Sequence, residues 1–287
     1  NNNPAYILEG NPDNPNNPSR KELDSLINTP DYEAYKILPK GTVKVKQKQD
    51  NVEFAAMVES MDESLGRIIA KLKELGIQDN TIIFFYSDNG GMSAINFGNS
   101  KRIVPKAQQD IAYSTSNLPL RGAKGWLYEG GIRVPLIVKW PGKGMQNAES
   151  STPVTSVDIF PTILNMVGFP EGIGKDKEGV DISPLIKGET INRGPIYWHF
   201  PHYSNHGMQS PGGAIRDGDY KLLEYFENGT VQLFNLKNDI EEQKDLSKME
   251  VEKTKELKEK LHKWRKNVGA QMMKPNPDYN ALLKAEL

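Results

Sequence analysis

The residues best suited to metal binding lie in the segment Ser87-Asp88-Asn89-Gly90-Gly91. The carboxylate of Asp88 and the amide oxygen of Asn89 are hard ligands of the kind that Ca²⁺ or Mg²⁺ prefers. Two oxygens do not complete a site, because Ca²⁺ takes six to eight. Asp, Asn and Gly also favour ordinary turns. This segment therefore predicts either a simple turn or part of a divalent-cation site.

A second candidate spans residues 118–135, where glycines surround several charged side chains. Glycines let a backbone approach a ligand closely, and Lys124 offers a compact positive charge for an oxyanion. The alternative is that Arg121 and Lys124 are merely exposed cations. Glu129 and Arg133 have the spacing of a local ion pair that braces a loop.

The third candidate is the segment 197–207, which holds three histidines and four aromatic residues. Stacking rings and imidazoles suit a carbohydrate-binding subsite, with His199 and His202 as its polar members. The alternative is a strand whose rings pack a core. His199, His202 and His206 could also form a metal site, although no other residue supports it.

Composition excludes several classes of function. The chain has 287 residues, 36 Lys+Arg, 37 Asp+Glu and a net charge of −1, which argues against nucleic-acid binding by bulk phosphate neutralisation. The absence of cysteine excludes disulfide scaffolds, thiolate metal sites and thiol nucleophiles. No apolar run approaches the ~20 residues of a transmembrane helix.

The elements around these candidates follow from hydrophobic periodicity. An apolar residue every three or four positions predicts one long helix from Asp50, with Asp50 and Glu53 as its capping box, to Gly76. Residues 81–86 are β-branched or aromatic, so they predict a central, parallel strand buried on both faces. Asp88 and Asn89 then follow at the strand's carboxyl end, where open α/β sheets bind ligands.

The remaining signals divide the chain into three parts. A strand is predicted at 133–140 and a helix at 156–167, followed by a hairpin around Asn228-Gly229 and a helix at 250–268. We expect an α/β fold: part of a mixed, mostly parallel sheet flanked by helices, then a small α+β subdomain of antiparallel sheet and C-terminal helix. The predicted divisions are an irregular segment 1–49, an α/β part 50–195 and the subdomain 196–287.

An ordered set of motifs over about residues 52–268 resembles the type I, formylglycine-dependent sulfatases of the alkaline phosphatase superfamily. The motifs are Tyr86-Ser87-Asp88-Asn89-Gly90-Gly91, Leu118-Pro119-Leu120-Arg121-Gly122-Ala123-Lys124, Glu129-Gly130-Gly131-Ile132-Arg133-Val134-Pro135, Val157-Asp158-Ile159-Phe160-Pro161-Thr162 and Ala214-Ile215-Arg216-Asp217-Gly218-Asp219-Tyr220-Lys221-Leu222.

The resemblance implies roles for the matched residues. Asp88 and Asn89 match ligands of the family's divalent metal, usually Ca²⁺, with Mg²⁺ as the alternative. Lys124 matches the lysine that contacts the substrate sulfate and acts in catalysis. His199 and His202 lie in a stretch that approaches the active-site mouth in similar sulfatases. The implied reaction is hydrolysis of a sulfate ester of a carbohydrate or aryl alcohol.

The chain departs from the family in lacking its nucleophile motif, Cys/Ser-x-Pro/Ala-x-Arg, and the first metal-binding aspartates. We therefore expect the C-terminal part of a longer enzyme, inactive alone, whose partner is a missing N-terminal half that carries the formylglycine. The chain shows no signal peptide, and the family implies a periplasmic or secreted location. The alternatives are a phosphate- or phosphonate-ester hydrolase of the same superfamily and a non-catalytic binding protein.

Overall fold

A computed structural model of the chain describes residues 6–10, 42–46, 48–93, 114–169, 178–203, 209–274 and 277. The chain forms two compact units. The first comprises Asn1–Ala56, Asp88–Val134 and Tyr197–Leu287, and the second comprises Met57–Ser87 and Pro135–Ile196. None of the described helices is both long enough and apolar enough to cross a membrane.

The first unit is built on a four-stranded sheet in which the strands lie in chain order. Its strands are β5 (Ile196–Phe200), β6 (Gly212–Asp217), β7 (Tyr220–Tyr225) and β8 (Val231–Asn235). The pairs β6–β7 and β7–β8 are antiparallel. The predicted hairpin is confirmed: β7 and β8 flank Asn228-Gly229, and Gly229 has the positive φ of +68° that glycine tolerates best.

Side chains alternate between the two faces of this sheet, as the two-residue period of a strand requires. One face, with Ala214, Leu223 and Phe234, packs against the buried segment 126–128. The other face, with Ile215, Leu222 and Leu233, packs against the C-terminal helix α5 (Val251–Asn267) through Leu257 and Leu261. The sheet therefore lies between the predicted C-terminal helix and a loop that contains the second candidate site.

The predicted irregular segment 1–49 contains an antiparallel pair of strands. These are β1 (Tyr6–Gly10) and β2 (Thr42–Lys46). In β2 the apolar Val43 and Val45 alternate with Thr42, Lys44 and Lys46, which is the two-residue period of a strand. The lysines nevertheless make the segment resemble an exposed charged run. Lys46 is in fact buried, and its ammonium lies 2.8 Å from the carboxylate of Asp50.

The long predicted helix is present as α1 (Val52–Glu74), and Gly76 has a φ of +66° just beyond its end. Its cap is Asn51 and not the predicted Asp50, because Oδ1 of Asn51 accepts the Phe54 N–H at 2.9 Å. An apolar stripe of this kind usually packs into a core, but that of α1 is not buried. No α1 residue is fully buried, and Met57 and Ile68 are 68% and 56% exposed.

The second unit also contains a two-stranded sheet of β3 (Ile83–Tyr86) and β4 (Leu136–Lys139), which pair antiparallel. The expectation of a parallel, doubly buried strand at 81–86 is therefore corrected for the described residues, where the strand is half-buried and antiparallel to β4. Its apolar composition indicated burial but carried no information on the direction of its partner.

The rest of the second unit consists of short helical elements around the buried side chain of Asp158. The 3₁₀ turn Ser156–Asp158 leads into α3 (Ile159–Met166), and the short helix α4 (Ser183–Ile186) follows later. The fully buried Asp158 carboxylate accepts the N–H groups of Thr155 and Val180, each at 2.8 Å, and pairs with Arg193. The helix predicted at 156–167 is thereby confirmed.

Candidate functional site

The predicted metal ligands Asp88 and Asn89 occupy the turn that directly follows β3. Asp88 is exposed and Asn89 is half-buried. Nδ2 of Asn89 donates to the carbonyl of Gly90 at 3.0 Å, which identifies Oδ1 as the atom of the amide that could ligate a cation. The turn thus offers carboxylate and amide oxygens side by side in the chain.

The lysine loop, residues 121–131, lies against the continuation of this turn. The N–H of Lys124 donates to the carbonyl of Gly91 at 3.1 Å, and the N–H of Gly90 donates to the carbonyl of Gly131 at 2.9 Å. Two separate main-chain bonds therefore hold the predicted sulfate-binding lysine beside the predicted metal ligands. The structure brings Asp88, Asn89 and Lys124, three of the five predicted site residues, into one region.

Glycine is required where the turn and the lysine loop meet. A Cβ added to Gly90 would lie 1.8 Å from the carbonyl oxygen of Gly130, and one added to Gly131 would lie 2.2 Å from that of Trp126. No side chain fits at such distances. The sequence suggested that the glycines of residues 118–135 let a backbone approach a ligand closely. In the structure Gly131 lets the lysine loop fold back on itself, and Gly90 lets the turn pack against that loop.

Asn117 joins the same two loops and was not identified from the sequence. Its side-chain nitrogen lies within hydrogen-bond distance of oxygens from Gly91, Ser93, Gly122 and Gly130, at 2.8, 3.2, 3.1 and 3.0 Å. Asparagine beside a Leu-Pro turn is too common a pattern to indicate such a role.

A buried cluster of charges anchors the lysine loop to the C-terminal sheet. Glu129 is the first residue of the short helix α2 (Glu129–Ile132), and its carboxylate lies 3.0 Å from the ammonium of Lys221 on β7. The same ammonium lies 2.9 Å from Glu242, whose other carboxylate oxygen accepts the Glu129 N–H at 2.7 Å. Lys221 and Glu242 are completely buried.

Burial and charge act against each other in this cluster. Burial lowers the pKa of Lys221, but the carboxylates of Glu242 and Glu129 raise it more, so the ammonium form is favoured. Burial raises the pKa of Glu129, but the Lys221 ammonium and the Arg216 and Arg133 guanidinium groups together lower it more, so the ionised carboxylate is favoured. Burial raises the pKa of Glu242 to about 7, and the Glu129 charge adds to this rise while Lys221 opposes it.

Two arginines near the lysine loop have structural partners. Arg121 is only 4% exposed, so it is not the exposed cation considered above; it donates to the Glu242 carbonyl at 2.8 Å and lies over the Tyr128 ring. The predicted local pair is present, with the Arg133 guanidinium 3.5 Å from the Glu129 carboxylate. Lys124 is half-buried.

The two predicted substrate-binding histidines differ in their surroundings. The imidazole of His199, on β5, meets the Gln271 carbonyl at 2.7 Å through Nε2 and lies 5.5 Å from the Phe226 ring. Because a carbonyl only accepts, Nε2 carries the hydrogen. His202 is exposed, with its ring edge-on to Phe200 at 5.6 Å. His206 lies outside the described residues.

The described residues supply only part of a metal site. Asp88 and Asn89 have the hard oxygens that suit Ca²⁺ or Mg²⁺. Within those same residues, no group of three or more His, Cys, Asp or Glu side chains could enclose a metal ion. The donor set therefore fits a divalent cation chemically but not in number, and additional ligands are required.

Family models match most of the chain. One described as Sulfatase matches residues 17–169. Another, described as N-sulphoglucosamine sulphohydrolase, C-terminal, matches residues 123–267. Together the matched ranges contain the Asp88-Asn89 turn, the lysine loop, β5 to β8 and α5.

The proteins that this chain resembles are longer than the chain itself. A sulfatase of Formosa agariphila is 30% identical over 259 residues, covering 79% of this chain and 43% of that protein. The structure of Ps i-CgsB in complex with k-i-k-neocarrahexaose has a TM-score of 0.61 and 29% identity, covering 76% of this chain and 44% of that one.

A third relative is BT4656, solved in complex with its substrate D-glucosamine-2-N,6-O-disulfate. It has a TM-score of 0.55 and 25% identity, and the match covers 73% of this chain and 39% of that one. The chain therefore spans less than half the length of each of these three proteins.

Proposed function

Since the chain belongs to the sulfatase family, of the alkaline phosphatase superfamily, we propose that it takes part in the hydrolysis of sulfate esters. The observation that carries the proposal is the pair of main-chain bonds that holds the Lys124 loop against the Asp88-Asn89 turn. This arrangement supports a site where an anion and a divalent cation bind next to each other.

In this proposal Lys124 binds and stabilises the sulfate group. Its ammonium, carried on a loop that main-chain bonds hold in place, would neutralise charge on the sulfate oxygens. Preorganised charge of this kind stabilises a transition state strongly because the site need not reorganise. Asp88 and Asn89 would hold a divalent cation, Ca²⁺ or Mg²⁺. When bound, that cation supplies further positive charge for the sulfate oxygens.

The proposed substrate is a sulfated carbohydrate. Ps i-CgsB was solved with a carrahexaose and BT4656 with a disulfated glucosamine, and both resemble this chain across about three quarters of its length. We propose His202 and His199 as sugar-binding residues. The exposed His202 ring and its aromatic neighbour Phe200 offer one polar and one apolar contact.

We further propose that a nucleophile-bearing polypeptide completes the site. The chain has neither cysteine nor the nucleophile motif. In the second unit a groove of about 370 Å³ between α1 and the β3–β4 sheet is lined mainly by apolar side chains, including Val58, Met61 and Phe85. This groove supports the proposal that the remainder of a sulfatase covers α1.

The location we propose, periplasmic or secreted, rests on the family alone. Cell fractionation with an antibody against this chain would test it. Detection only in the cytoplasmic fraction would contradict it.

The function is tested with 4-nitrophenyl sulfate and 4-nitrophenyl phosphate. We expect no turnover by this chain alone, and sulfatase activity once the polypeptide encoded upstream is supplied. In that active protein Lys124→Ala should lower kcat/KM about 10²- to 10³-fold, whereas Lys143→Ala, at an exposed lysine of the second unit, should have no effect. Preference for the phosphate ester, or full activity of Lys124→Ala, would overturn the proposal.

A further inference from the structure

The side-chain amide of Asn117 lies between the two loops that carry the proposed site. Its nitrogen lies 2.8 Å from the Gly91 carbonyl and 3.2 Å from the Ser93 hydroxyl. It also lies 3.1 and 3.0 Å from the carbonyls of Gly122 and Gly130. The first pair follows the Asp88-Asn89 turn, and the second pair brackets Lys124.

Only a donor group can occupy this position. The amide nitrogen has two hydrogens, which four surrounding oxygens share. A carboxylate of the same shape would bring a negative oxygen against these acceptors. A small apolar side chain would take one donor from all four oxygens, of which the Gly91 carbonyl keeps the Lys124 and Ser93 N–H groups and the Gly122 carbonyl keeps the Ser93 hydroxyl. None of the four oxygens belongs to an ionisable group.

We propose that Asn117 is a positioning residue, which fixes the Asp88-Asn89 turn relative to the Lys124 loop. The main-chain bonds from Gly90 to Gly131 and from Lys124 to Gly91 join the same two segments. The amide thus adds cross-links to a contact that glycines make possible. The roles of Asp88, Asn89 and Lys124 in this proposal rest on the proposed function, whereas the cross-link itself does not.

The test is residue-resolved hydrogen exchange of the full chain with Asn117→Asp. We expect the amides of Gly90, Lys124 and Gly130 to exchange at least tenfold faster at pH 7.5 than in the unsubstituted chain, with strands β6 to β8 unchanged. Asn228→Asp is the matched control, because it makes the same charge change where Oδ1 only accepts the Thr230 N–H, at 2.9 Å. Its exchange rates should not change.

A pH series separates positioning from general damage. The carboxyl group that Asn117→Asp introduces regains an O–H donor when it is protonated, so protection in this variant should recover between pH 7.5 and pH 5 once rates are corrected for intrinsic exchange. Asn117→Ala should lose protection at both pH values. The proposal is overturned if Asn117→Asp retains protection at pH 7.5, if protection does not recover, or if the loss spreads equally to β6–β8.

Failure of the proposed function is distinguishable from failure of this proposal. Exchange rates do not depend on sulfate hydrolysis, and the Lys124→Ala assay does not depend on Asn117. An inactive protein with the expected exchange pattern would retain the cross-link and reject sulfatase function; the converse result would retain the function and reject the cross-link.

Discussion

The ammonium group of Lys221 lies 3.0 Å from Oε1 of Glu129, although neither side chain is more than 3% exposed. Glu129 begins α2 within the lysine loop, whereas Lys221 lies on β7 of the C-terminal sheet. With Glu242 as a second partner at 2.9 Å, this cluster connects the proposed sulfate-binding region to the sheet beneath it. The C-terminal sheet thereby acts as the support of the lysine loop.

Removing the central cation should destabilise the first unit. Lys221→Met removes the fully buried counter-charge of Glu129 and Glu242 and leaves Glu129 only the more exposed Arg133 and Arg216. Loss of one partner costs about 3–5 kcal/mol in comparable buried pairs. Urea unfolding followed by tryptophan fluorescence measures this free energy. Lys260→Met is the matched control, because Lys260 pairs with Asp217 and Glu256 at the surface, where ion pairs contribute little. Equal effects of the two substitutions would contradict the assigned role of Lys221.

The pH dependence of stability should contain a contribution from Glu242. Burial raises its pKa from 4.5 to about 7 in the folded chain, so between these values the folded state binds more protons than the unfolded state. The stabilising contribution is complete below 4.5 and is lost as the pH rises through 7.

The comparison that isolates this contribution uses Glu242→Gln, which resembles the protonated form at every pH. The free energy of unfolding of the unsubstituted chain should fall between pH 5 and pH 8 relative to that of the variant. Groups outside the Glu129–Lys221–Glu242 cluster contribute alike in both proteins and cancel in the difference. A difference independent of pH would show that Glu242 does not titrate in this range.

Two glycine substitutions should have opposite effects. Gly90→Ala places a methyl group 1.8 Å from the Gly130 carbonyl oxygen, so the turn and lysine loop must separate. Overpacking of this kind costs about 1–3 kcal/mol. Gly66→Ala, in α1 with no atom within 4 Å of the added Cβ, should instead stabilise by about 0.5–1 kcal/mol. Thermal unfolding of both variants measures the signs, and a stabilising Gly90→Ala would show that the loops are not in contact.

Substrate recognition by His202 predicts a change in KM. In the sulfatase-active protein His202→Ala should raise KM for a sulfated oligosaccharide and leave kcat unaltered, because in the proposed role the residue binds a part of the sugar away from the reacting sulfate. The same variant should hydrolyse 4-nitrophenyl sulfate normally. Unchanged kinetics on the oligosaccharide would exclude His202 from the substrate-binding surface.

Local patterns in the sequence were sufficient to predict most of the helices and strands. The Asn228-Gly229 turn indicates its hairpin through the backbone conformation it requires, and the α5 periodicity identifies Leu257 and Leu261 as buried. Such features depend on residues only a few positions apart. The resemblance to sulfatases, carried by the ordered motifs, implied that Asp88, Asn89 and Lys124 act in one site, and this stays a prediction.

Contacts between residues far apart in the chain could not be predicted from such local patterns. Lys221 and Glu129 are 92 positions apart, and nothing in either local sequence specifies the other as a partner. Burial of Lys46 was likewise hidden, since a lysine among lysines resembles a solvated face. The apolar composition of 81–86 indicated a strand but left the direction of its neighbour open. These properties arise from packing between distant segments.

The exposed apolar face of α1 leads to a prediction about association. Met57 and Met61 are 68% and 51% exposed, and an apolar groove adjoins them. Contiguous apolar surface favours self-association when its proper partner is absent. We expect the chain to form oligomers at micromolar concentration, measured by sedimentation velocity, and Met57→Gln with Met61→Gln to shift it toward monomer. The matched control is Met249→Gln with Met272→Gln, since these methionines are 68% and 50% exposed outside α1. A monomeric unsubstituted chain, or an equal shift by the control, would show that α1 is not the associating surface. The same face is proposed to receive the rest of a sulfatase. Addition of that polypeptide should therefore dissociate the oligomers of the unsubstituted chain.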